Sequence, residues 1–239
     1  MSNDKLGKLF LIPTALGSFE TNERVLPSYN TQIIYGLNVF VVEQVRTARR
    51  FLSSLNHPVK IDELEFKELN KHTDSSEIDS YLDCTYYGKS VGLISEAGTP
   101  CIADPGSVVV KIAQERGIQV IPLVGPNSII LSLMASGFNG QIFTFHGYLP
   151  VDKQQLSKKL KEIEMNAVRL DQTQIFIETP YRNNQMLSSI LNTCSPRTQL
   201  CIATELTLPS ESIQTMPISM WKKIKLDFHK KPTVFLIYK

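Results

Sequence analysis

A loop rich in glycine and proline, residues 95–106, constrains this chain more than any other segment. It follows a short apolar stretch at 91–94 and precedes an amphipathic helical pattern that begins at Ser107. Loops of this kind lie at the carboxyl ends of parallel strands, where open α/β sheets bind their ligands. The loop has neither the G-x-G-x-x-G nor the G-x-x-x-x-G-K-[ST] spacing, so neither a dinucleotide fold nor a phosphate loop is supported. We therefore expect a small-molecule crevice lined largely by backbone.

Short apolar strands alternate with helical patterns along the whole chain. This alternation predicts an α/β protein with mostly parallel sheets. The pattern restarts after Leu123, which predicts two α/β subdomains, residues 1–123 and 124–239, with the crevice between them. Strands are predicted at 8–12, 39–42, 91–94, 118–123, 142–145, 174–178, 200–205 and 233–238. Helices are predicted at 31–37, 43–55, 77–86, 107–116 and 129–136, from Asp152, and at 182–191, whereas 17–30 and 147–150 are predicted to be loops.

The composition excludes several classes of protein. The 239 residues are 42% hydrophobic and 20% charged, as in an ordinary globular chain, and a net charge of +2 does not by itself indicate a nucleic-acid partner. The start is polar and no apolar run approaches ~18 residues, so we expect neither a signal peptide nor a membrane helix. The four cysteines lack C-x-x-C spacing and the histidines are scattered, which predicts reduced thiols, a cytoplasmic location and no metal site.

Several motifs together resemble the tetrapyrrole methylase (class III) family of S-adenosylmethionine-dependent methyltransferases. The order and spacing are most similar to the branch that methylates a ribose 2′-hydroxyl of small-subunit ribosomal RNA. The resemblance implies the two-subdomain fold, S-adenosylmethionine as cofactor, an RNA substrate and a homodimer. It is carried by residues 11–17, 95–106, 124–128, 147–150, 175–182, 205–207 and 232–237.

The resemblance also implies a set of cofactor contacts, divided between the two halves of the chain. Those from the first half are Pro13, Gly98, Thr99 and Ile102. Those from the second half are Asn127, Ser128, Glu178, Thr179, Pro232 and Thr233. Taken singly, the prolines are more often simple strand terminators, and Asn127 and Ser128 could cap a helix as well as contact the cofactor.

A hydroxyl acceptor is weakly acidic and calls for a nearby base. Glu43 and Glu96 are the candidate catalytic bases, and Arg46 could bind phosphate or orient a carboxylate. Glu43 could instead be an acid at a helix N-terminus, and Glu96 could instead fix the loop through backbone hydrogen bonds. Asp104 is expected to cap the helix that begins at Ser107. Arg182 is either an anchor or a solvated cation, and Tyr148 either stacks on a base or packs in the core.

The chain departs from the family pattern on the substrate side. Ala15 and Ser18 replace a proline and an asparagine, the run at 43–49 keeps its glutamate and two arginines but loses its aspartate, threonines and histidine, and Leu208 replaces a lysine. Because the sequence ends at Lys239, we expect the family's small C-terminal helical extension to be absent. Two alternatives therefore stay open, namely the same fold and cofactor acting on a tetrapyrrole-like or other small metabolite, and a non-catalytic protein that binds the cofactor or RNA.

Overall fold

The computed structural model describes residues 6–70 and 73–239. Residues 1–5 and 71–72 lie outside the described residues, and the former include most of the polar start on which the absence of a signal peptide was predicted. The chain forms two compact units, one up to Asn127 and the other from Ser128 to Lys239. Each unit contains a five-stranded sheet. No helix in the described residues is both long and apolar enough to span a bilayer.

The first unit alternates short buried strands with helices. Its strands are β1 (Leu9–Ile12), β2 (Val39–Val42), β3 (Glu65–Glu68), β4 (Val91–Ile94) and β5 (Val120–Pro122). Its α-helices are α1 (Asn22–Val25), α2 (Ser28–Tyr35), α3 (Val45–Ser54), α4 (Ser75–Asp79) and α5 (Ser107–Glu115), with 3-10 turns at Phe19–Thr21, Ile61–Glu63 and Ser80–Tyr87. The interior strands β2 and β4 are buried at every residue and, apart from Gly92, carry apolar side chains, as strands covered on both faces do.

All strands of the first sheet are parallel, in the order β3-β2-β4-β1-β5. The register places Ile12 and Val42 on either side of Ile94, so the loops that follow β1, β2 and β4 leave the sheet at one edge. The loop after β5 leaves at the same edge because Pro122 pairs with Leu11. This carboxyl edge is where parallel sheets place their ligand sites.

Helices cover both faces of the first sheet. Alternate residues of one strand point to opposite faces, so Leu9 joins a core with α5 whereas Phe10 joins a core with α2 and α3. Burying apolar surface in both layers is the main force that holds such a sheet together, at roughly 25 cal/mol per Å² removed from water. The first unit is therefore a doubly wound α/β layer structure.

The second unit is built on a mixed sheet in the order β6-β7-β10-β8-β9. Its strands are β6 (Phe143–Tyr148), β7 (Thr173–Ile177), β8 (Gln199–Thr204), β9 (Ser212–Pro217) and β10 (Thr233–Tyr238). Its helices are α6 (Ser128–Ser136), α7 (Lys153–Arg169), α8 (Asn183–Thr193) and α9 (Ile218–Trp221), with a 3-10 turn at Pro180–Arg182. Asp152 caps α7 as predicted, because its Oδ1 accepts hydrogen bonds from the backbone N–H groups of Gln154 and Gln155 at 3.1 and 2.9 Å.

One apolar core joins α7, α8 and α9 to the second sheet. Phe176 and Phe235 stack on neighbouring strands with ring centroids 5.7 Å apart. Trp221 of α9 is 2% exposed, and its indole N–H donates to the Leu200 carbonyl at 2.9 Å. The single tryptophan of the chain is therefore buried in the second unit.

The α/β class predicted from the sequence is confirmed, and the first sheet is parallel as expected. The expectation of a mostly parallel sheet is wrong for the second unit, where β10 runs antiparallel to β7 and β8, and β9 antiparallel to β8. For the β8–β9 pair the physical reason is connection length, because the short link at 205–211 permits an antiparallel hairpin, whereas a parallel pair needs a crossover of a dozen or more residues.

Three local predictions also need correction. Residues 17–30 were expected to be a loop but contain α1 and the start of α2, and strands β3 and β9 were not predicted. β3 has charged residues at both ends, and β9 has exposed residues in its middle, so neither shows the apolar run typical of a buried strand. Gly147 and Tyr148 belong to β6 rather than to a loop.

We expect Leu160→Ala to lower the free energy of unfolding of the second unit by about 2–5 kcal/mol, because it leaves a cavity in the apolar core between α7 and the sheet. Leu160 is fully buried, whereas Leu226 is 43% exposed and supplies the control variant Leu226→Ala, with an expected change within about 0.5 kcal/mol. Urea titration followed by Trp221 fluorescence measures both variants. Equal losses in the two would contradict the assignment of Leu160 to this core.

Candidate functional site

The loops that follow β1 and β4 are joined by backbone hydrogen bonds. The Thr14 N–H donates to the Gly98 carbonyl at 3.0 Å, and the Gly98 N–H donates back to the Thr14 carbonyl at 3.2 Å. The Thr14 hydroxyl also donates to the Ser95 carbonyl at 3.2 Å. Pro13 ends β1 at the same edge, so the sequence-predicted residues Pro13 and Gly98 are brought together.

The loop at 95–106 is held in a shape that few residues can adopt. Gly98, Cys101 and Ala103 all have positive φ, at 76°, 66° and 57°. A Cβ on Gly98 would lie 3.1 Å from the Pro126 carbonyl oxygen, so this position needs glycine both for its backbone angle and for space. Asp104 holds the far end of the loop by accepting from the Cys101 and Gly106 N–H groups at 3.2 and 2.9 Å. It therefore fixes the loop rather than capping α5 itself.

The loop after β5 packs against the residue that ends β1. A Cβ on Gly125 would lie 2.3 Å from the Pro13 ring, so glycine is required for this close approach. The Asn30 side chain donates to the Val124 carbonyl at 2.7 Å and holds the loop from α2. Asn127 then donates to the Thr99 hydroxyl at 2.6 Å. Asn127, which we expected in the second half of the chain, thus groups with the first unit and contacts Thr99 directly.

Three carboxylates lie near one another at this edge. Burial raises the pKa of Glu43 above its ordinary value of 4.5, and the carboxylates of Glu96 and Asp104 raise it further. Burial also raises the pKa of Glu96, although hydrogen bonds from the Thr47 hydroxyl and the Gln44 N–H oppose this shift. The Gln44 N–H donates to Glu96 Oε1 at 3.1 Å. Glu96 is therefore tied to the loop after β2, while Glu43 is a carboxylate with a raised proton affinity.

Two of the sequence-predicted residues in the first unit are less enclosed. Arg46 lies exposed in the first turn of α3, and the described residues 6–70 and 73–239 place no carboxylate within ion-pair distance of it. Ile102 is 49% exposed at the tip of the 95–106 loop. Arg46 is thus open to an external anion, and Ile102 presents an apolar surface beside the loop backbone.

In the second unit, the predicted residues Glu178 and Thr179 follow β7 directly. The Glu178 side chain is 2% exposed, its Oε1 accepts the Thr179 N–H at 2.7 Å, and its Oε2 lies 3.1 Å from Arg182 Nη2. A buried carboxylate is stable when it is paired in this way. Arg182 is therefore an anchor for Glu178 and not a freely solvated cation.

Pro232 and Thr233 lie at the same edge of the second sheet. β10 is antiparallel to β7, so its first residues are level with the end of β7, where Val234 pairs with Ile177. The Pro232 carbonyl accepts the Glu205 N–H at 2.9 Å, and the Thr233 hydroxyl donates to the Lys231 carbonyl at 2.9 Å.

Tyr148 and Ser128 complete the set of second-unit candidates. Tyr148 pairs with Ile177 at the end of β6 and is 61% exposed, so it is not a core tyrosine. Ser128 is the first residue of α6.

Several residues of this edge were not predicted as functional. Ser95, Thr14 and Gly125 hold or line the loops of the first unit, and each lies within a motif that carries the resemblance. The motifs contain these residues, but a small residue next to a glycine or proline usually forms part of a turn, so the sequence did not mark them as functional. Gln44 and Thr47 were missed because only the fold brings them to Glu96.

The donor set fits a polar organic ligand better than a metal ion. At the carboxyl edge of the first sheet, the buried hydroxyl of Ser95 has no hydrogen-bond partner among the described residues, and such a group calls for one. Residues 6–70 and 73–239 contain no group of three or more His, Cys, Asp or Glu arranged to hold a metal. Loop backbone, hydroxyls and a glycine without a side chain suit a nucleoside with amine and carboxylate ends.

Comparison with known proteins yields relatives of a single kind among those most similar in sequence. No family model matches the chain. The ribosomal RNA small subunit methyltransferase I of Vibrio cholerae is 31% identical over 212 residues, which make up 88% of this chain and 69% of that protein. The protein of the same name from Escherichia coli O157:H7 is 27% identical, and the match covers 91% of this chain and 71% of that protein. The one from Buchnera aphidicola is 29% identical, and the match covers 99% of this chain and 79% of that protein.

Solved structures with the same fold include methyltransferases of several names. The methyltransferase CobJ has a TM-score of 0.64 at 16% identity, covering 98% of this chain and 94% of its own. Cobalt precorrin-4 methyltransferase CbiF has a TM-score of 0.59 at 13% identity, covering 97% and 94%. Uroporphyrin-III C-methyltransferase from Thermus thermophilus, solved with S-adenosylhomocysteine, has a TM-score of 0.54 at 15% identity, covering 98% of each chain. At these identities the likeness shows the fold.

We expect Glu43→Gln to raise the melting temperature at pH 7 and to lose this advantage as the pH falls toward 4.5. The pKa of Glu43 is raised on folding, so its contribution to stability is present below its unfolded value and is lost as the pH rises through its folded value. At pH 7 the ionised side chain is therefore a cost that glutamine removes. Thermal unfolding between pH 4 and pH 8 checks this, with the exposed Glu23→Gln as control. A gain that stays constant with pH would contradict the electrostatic cause.

Proposed function

Since the chain belongs to the family of ribosomal RNA small subunit methyltransferase I, within the tetrapyrrole methylases, we propose that it methylates a ribose 2′-hydroxyl of small-subunit ribosomal RNA. The chain is a methyltransferase whose cofactor is S-adenosylmethionine. The single observation that carries the proposed substrate is the 31% identity with the Vibrio cholerae protein over 88% of the chain. The carboxyl edge of the first sheet supports the cofactor assignment, because its paired loops form a backbone-lined surface of the kind that S-adenosylmethionine requires.

We assign the cofactor contacts in the first unit to Pro13, Gly98, Thr99, Ile102 and Asn127. Two facts support the assignment: Gly98 lies against backbone with no room for a side chain, and Thr99 and Asn127 are already hydrogen-bonded to each other. Ser95, with its unpartnered buried hydroxyl, is a further donor toward a polar group.

We assign the contacts in the second unit to Ser128, Glu178, Thr179, Pro232 and Thr233. Glu178, Thr179, Pro232 and Thr233 lie at one edge of the second sheet, and the Glu178–Arg182 pair fixes the turn that carries Thr179. When bound, S-adenosylmethionine supplies an electrophilic methyl carbon on a sulfonium, and no metal or covalent enzyme intermediate is needed.

Catalysis by this chain is then chiefly positioning and proton removal. The cofactor would supply the methyl group to the ribose oxygen, and a carboxylate of this chain would accept the proton that the hydroxyl loses. We propose Glu43 as that base, because its raised pKa brings its proton affinity closer to neutral pH. Glu96, fixed by the Gln44 N–H, contributes negative charge beside it, and the exposed Arg46 binds phosphate of the RNA.

We further propose that the enzyme is cytoplasmic and acts as a homodimer. A ribosomal RNA substrate accounts for the location. For the dimer, α6 offers a supporting observation, since the apolar side chain of Met134 is 74% exposed there. Sedimentation velocity gives the mass of the assembly directly.

We expect Gly98→Val to abolish S-adenosylmethionine binding, with a loss of affinity of 100-fold or more. A branched side chain would occupy the space against the Pro126 carbonyl and strain a backbone at φ 76°. Gly140→Val is the matched control, because a Cβ there meets nothing within 4 Å. Isothermal titration calorimetry measures both variants, with circular dichroism to check folding. Unchanged affinity in a folded Gly98→Val protein would remove the loop from the cofactor site.

We expect the wild-type protein to transfer tritiated methyl groups to small ribosomal subunits that lack the modification, with the label recovered as a 2′-O-methyl nucleoside. Glu43→Gln should bind the cofactor normally but transfer about 100-fold more slowly, in line with the loss of a general base. Label found on a base rather than a ribose would contradict the proposed acceptor. Cofactor binding without transfer to RNA would favour the non-catalytic alternative, and transfer to a tetrapyrrole instead would favour the small-metabolite alternative.

A further inference from the structure

An exposed tyrosine in the second unit lies against a lysine and a histidine. Tyr181 is 69% exposed in the 3-10 turn after β7. The Lys230 ammonium lies over its ring at 6.0 Å from the centroid, and the His229 ring approaches at 5.7 Å with an interplanar angle of 71°. We call Tyr181, His229 and Lys230 the tyrosine platform. Neither the cofactor contacts nor the carboxylates proposed above include these residues.

The tyrosine platform is fixed by hydrogen bonds between its two segments. The Lys230 N–H donates to the Pro180 carbonyl at 3.0 Å, which ties residues 229–231 to the turn that carries Tyr181. The buried Asn183 side chain donates to the Lys231 carbonyl at 2.6 Å from the other side of that turn. Lys230 is held at φ 63°, a left-handed conformation that costs energy for a lysine. A surface aromatic ring held in this way needs little ordering when it binds.

The chain segment that leads into His229 and Lys230 has a composition that favours a polyanion. The segment 222–231 contains five lysines, all exposed, and a single acid. That acid, Asp227, accepts hydrogen bonds from the Asn184 side chain and the His229 N–H. Glu205 lies 3.6 Å from Lys231, and Glu178 is paired with Arg182, so the nearby carboxylates are largely engaged. Lys222, Lys223, Lys225 and Lys230 remain available for phosphates.

We propose that the tyrosine platform binds single-stranded RNA, with an unpaired base stacked on Tyr181 and the adjacent phosphates bound by Lys230 and the lysines of 222–225. Unpaired bases commonly stack on aromatic side chains, and cations beside the ring bind the backbone. This inference rests on the proposed function and deepens it, because it names a surface that binds the RNA apart from the residues of methyl transfer.

The direct test uses a fluorescein-labelled oligouridine of about 12 nucleotides, since stacking tolerates any base. We expect Tyr181→Ala to weaken its binding by about 5- to 150-fold in fluorescence anisotropy, while Tyr181→Phe binds like the wild type. Tyr87→Ala is the matched control, because Tyr87 is 84% exposed in the first unit. Lys230→Asn keeps the left-handed backbone but removes the charge, so it should reduce the slope of log K against log salt by about 0.7.

Further measurements separate the failure of this inference from the failure of the proposed function. Each variant is also titrated with S-adenosylmethionine and assayed for methyl transfer to ribosomal subunits, where Tyr181→Ala should raise KM with the cofactor affinity unchanged. If the wild type methylates subunits and Tyr181→Ala binds RNA as tightly as the wild type, the platform is wrong and the function stands. If Tyr181→Ala changes the sedimentation coefficient and not RNA affinity, the surface binds a second copy and the inference is overturned. Oligouridine binding that is lost in Tyr181→Ala, without methyl transfer by the wild type, would support the platform and contradict the function.

Discussion

The pair of backbone hydrogen bonds between Thr14 and Gly98 is the constraint on which the first unit's site depends. It joins the loops of two neighbouring parallel strands just beyond the point where their regular ladder ends. Because it uses main-chain groups, the side chains at these positions are free to be small, and Gly98 can lie against the Pro126 carbonyl. Asn127 then holds the loop at Thr99, and Asp104 fixes its far end through the Cys101 and Gly106 N–H groups. The result is a rigid surface of peptide groups, which suits recognition of a nucleoside by backbone rather than by charge.

The carboxylates of Glu43 and Glu96 at the same edge are partly buried, and their ionised forms lower the stability of the fold. Burial and the nearby carboxylates of Glu96 and Asp104 raise the pKa of Glu43, whereas hydrogen bonds from the Thr47 hydroxyl and the Gln44 N–H partly offset the rise that burial causes in the pKa of Glu96. Glu43 and Glu96 thus have different environments, and a difference in environment can give two glutamates different roles in a site. In the second unit the buried Glu178 is paired with Arg182 and holds the turn that follows β7.

Much of this could be predicted from the sequence, and the exceptions have physical reasons. The apolar strands of the first sheet were predictable because they are buried on both faces, and Asp152 was predictable as a cap because its geometry is local. β3 and β9 were not predictable, since their partly exposed residues obscure the apolar signal and their pairing is set by distant strands. The motif residues Pro13, Gly98 and Thr99 could be chosen from the sequence, but the contacts of Glu96 with Gln44 and Thr47 arise only when β2 and β4 pair.

The contact between Gly125 and Pro13 has a consequence for how this chain can change over generations. The two residues are far apart in sequence, yet a Cβ on Gly125 would overlap the Pro13 ring. Neither can be enlarged alone without separating the loops after β1 and β5. A protein with a smaller residue at position 13 could carry a side chain at position 125. We therefore expect positions 13 and 125 to covary among related proteins.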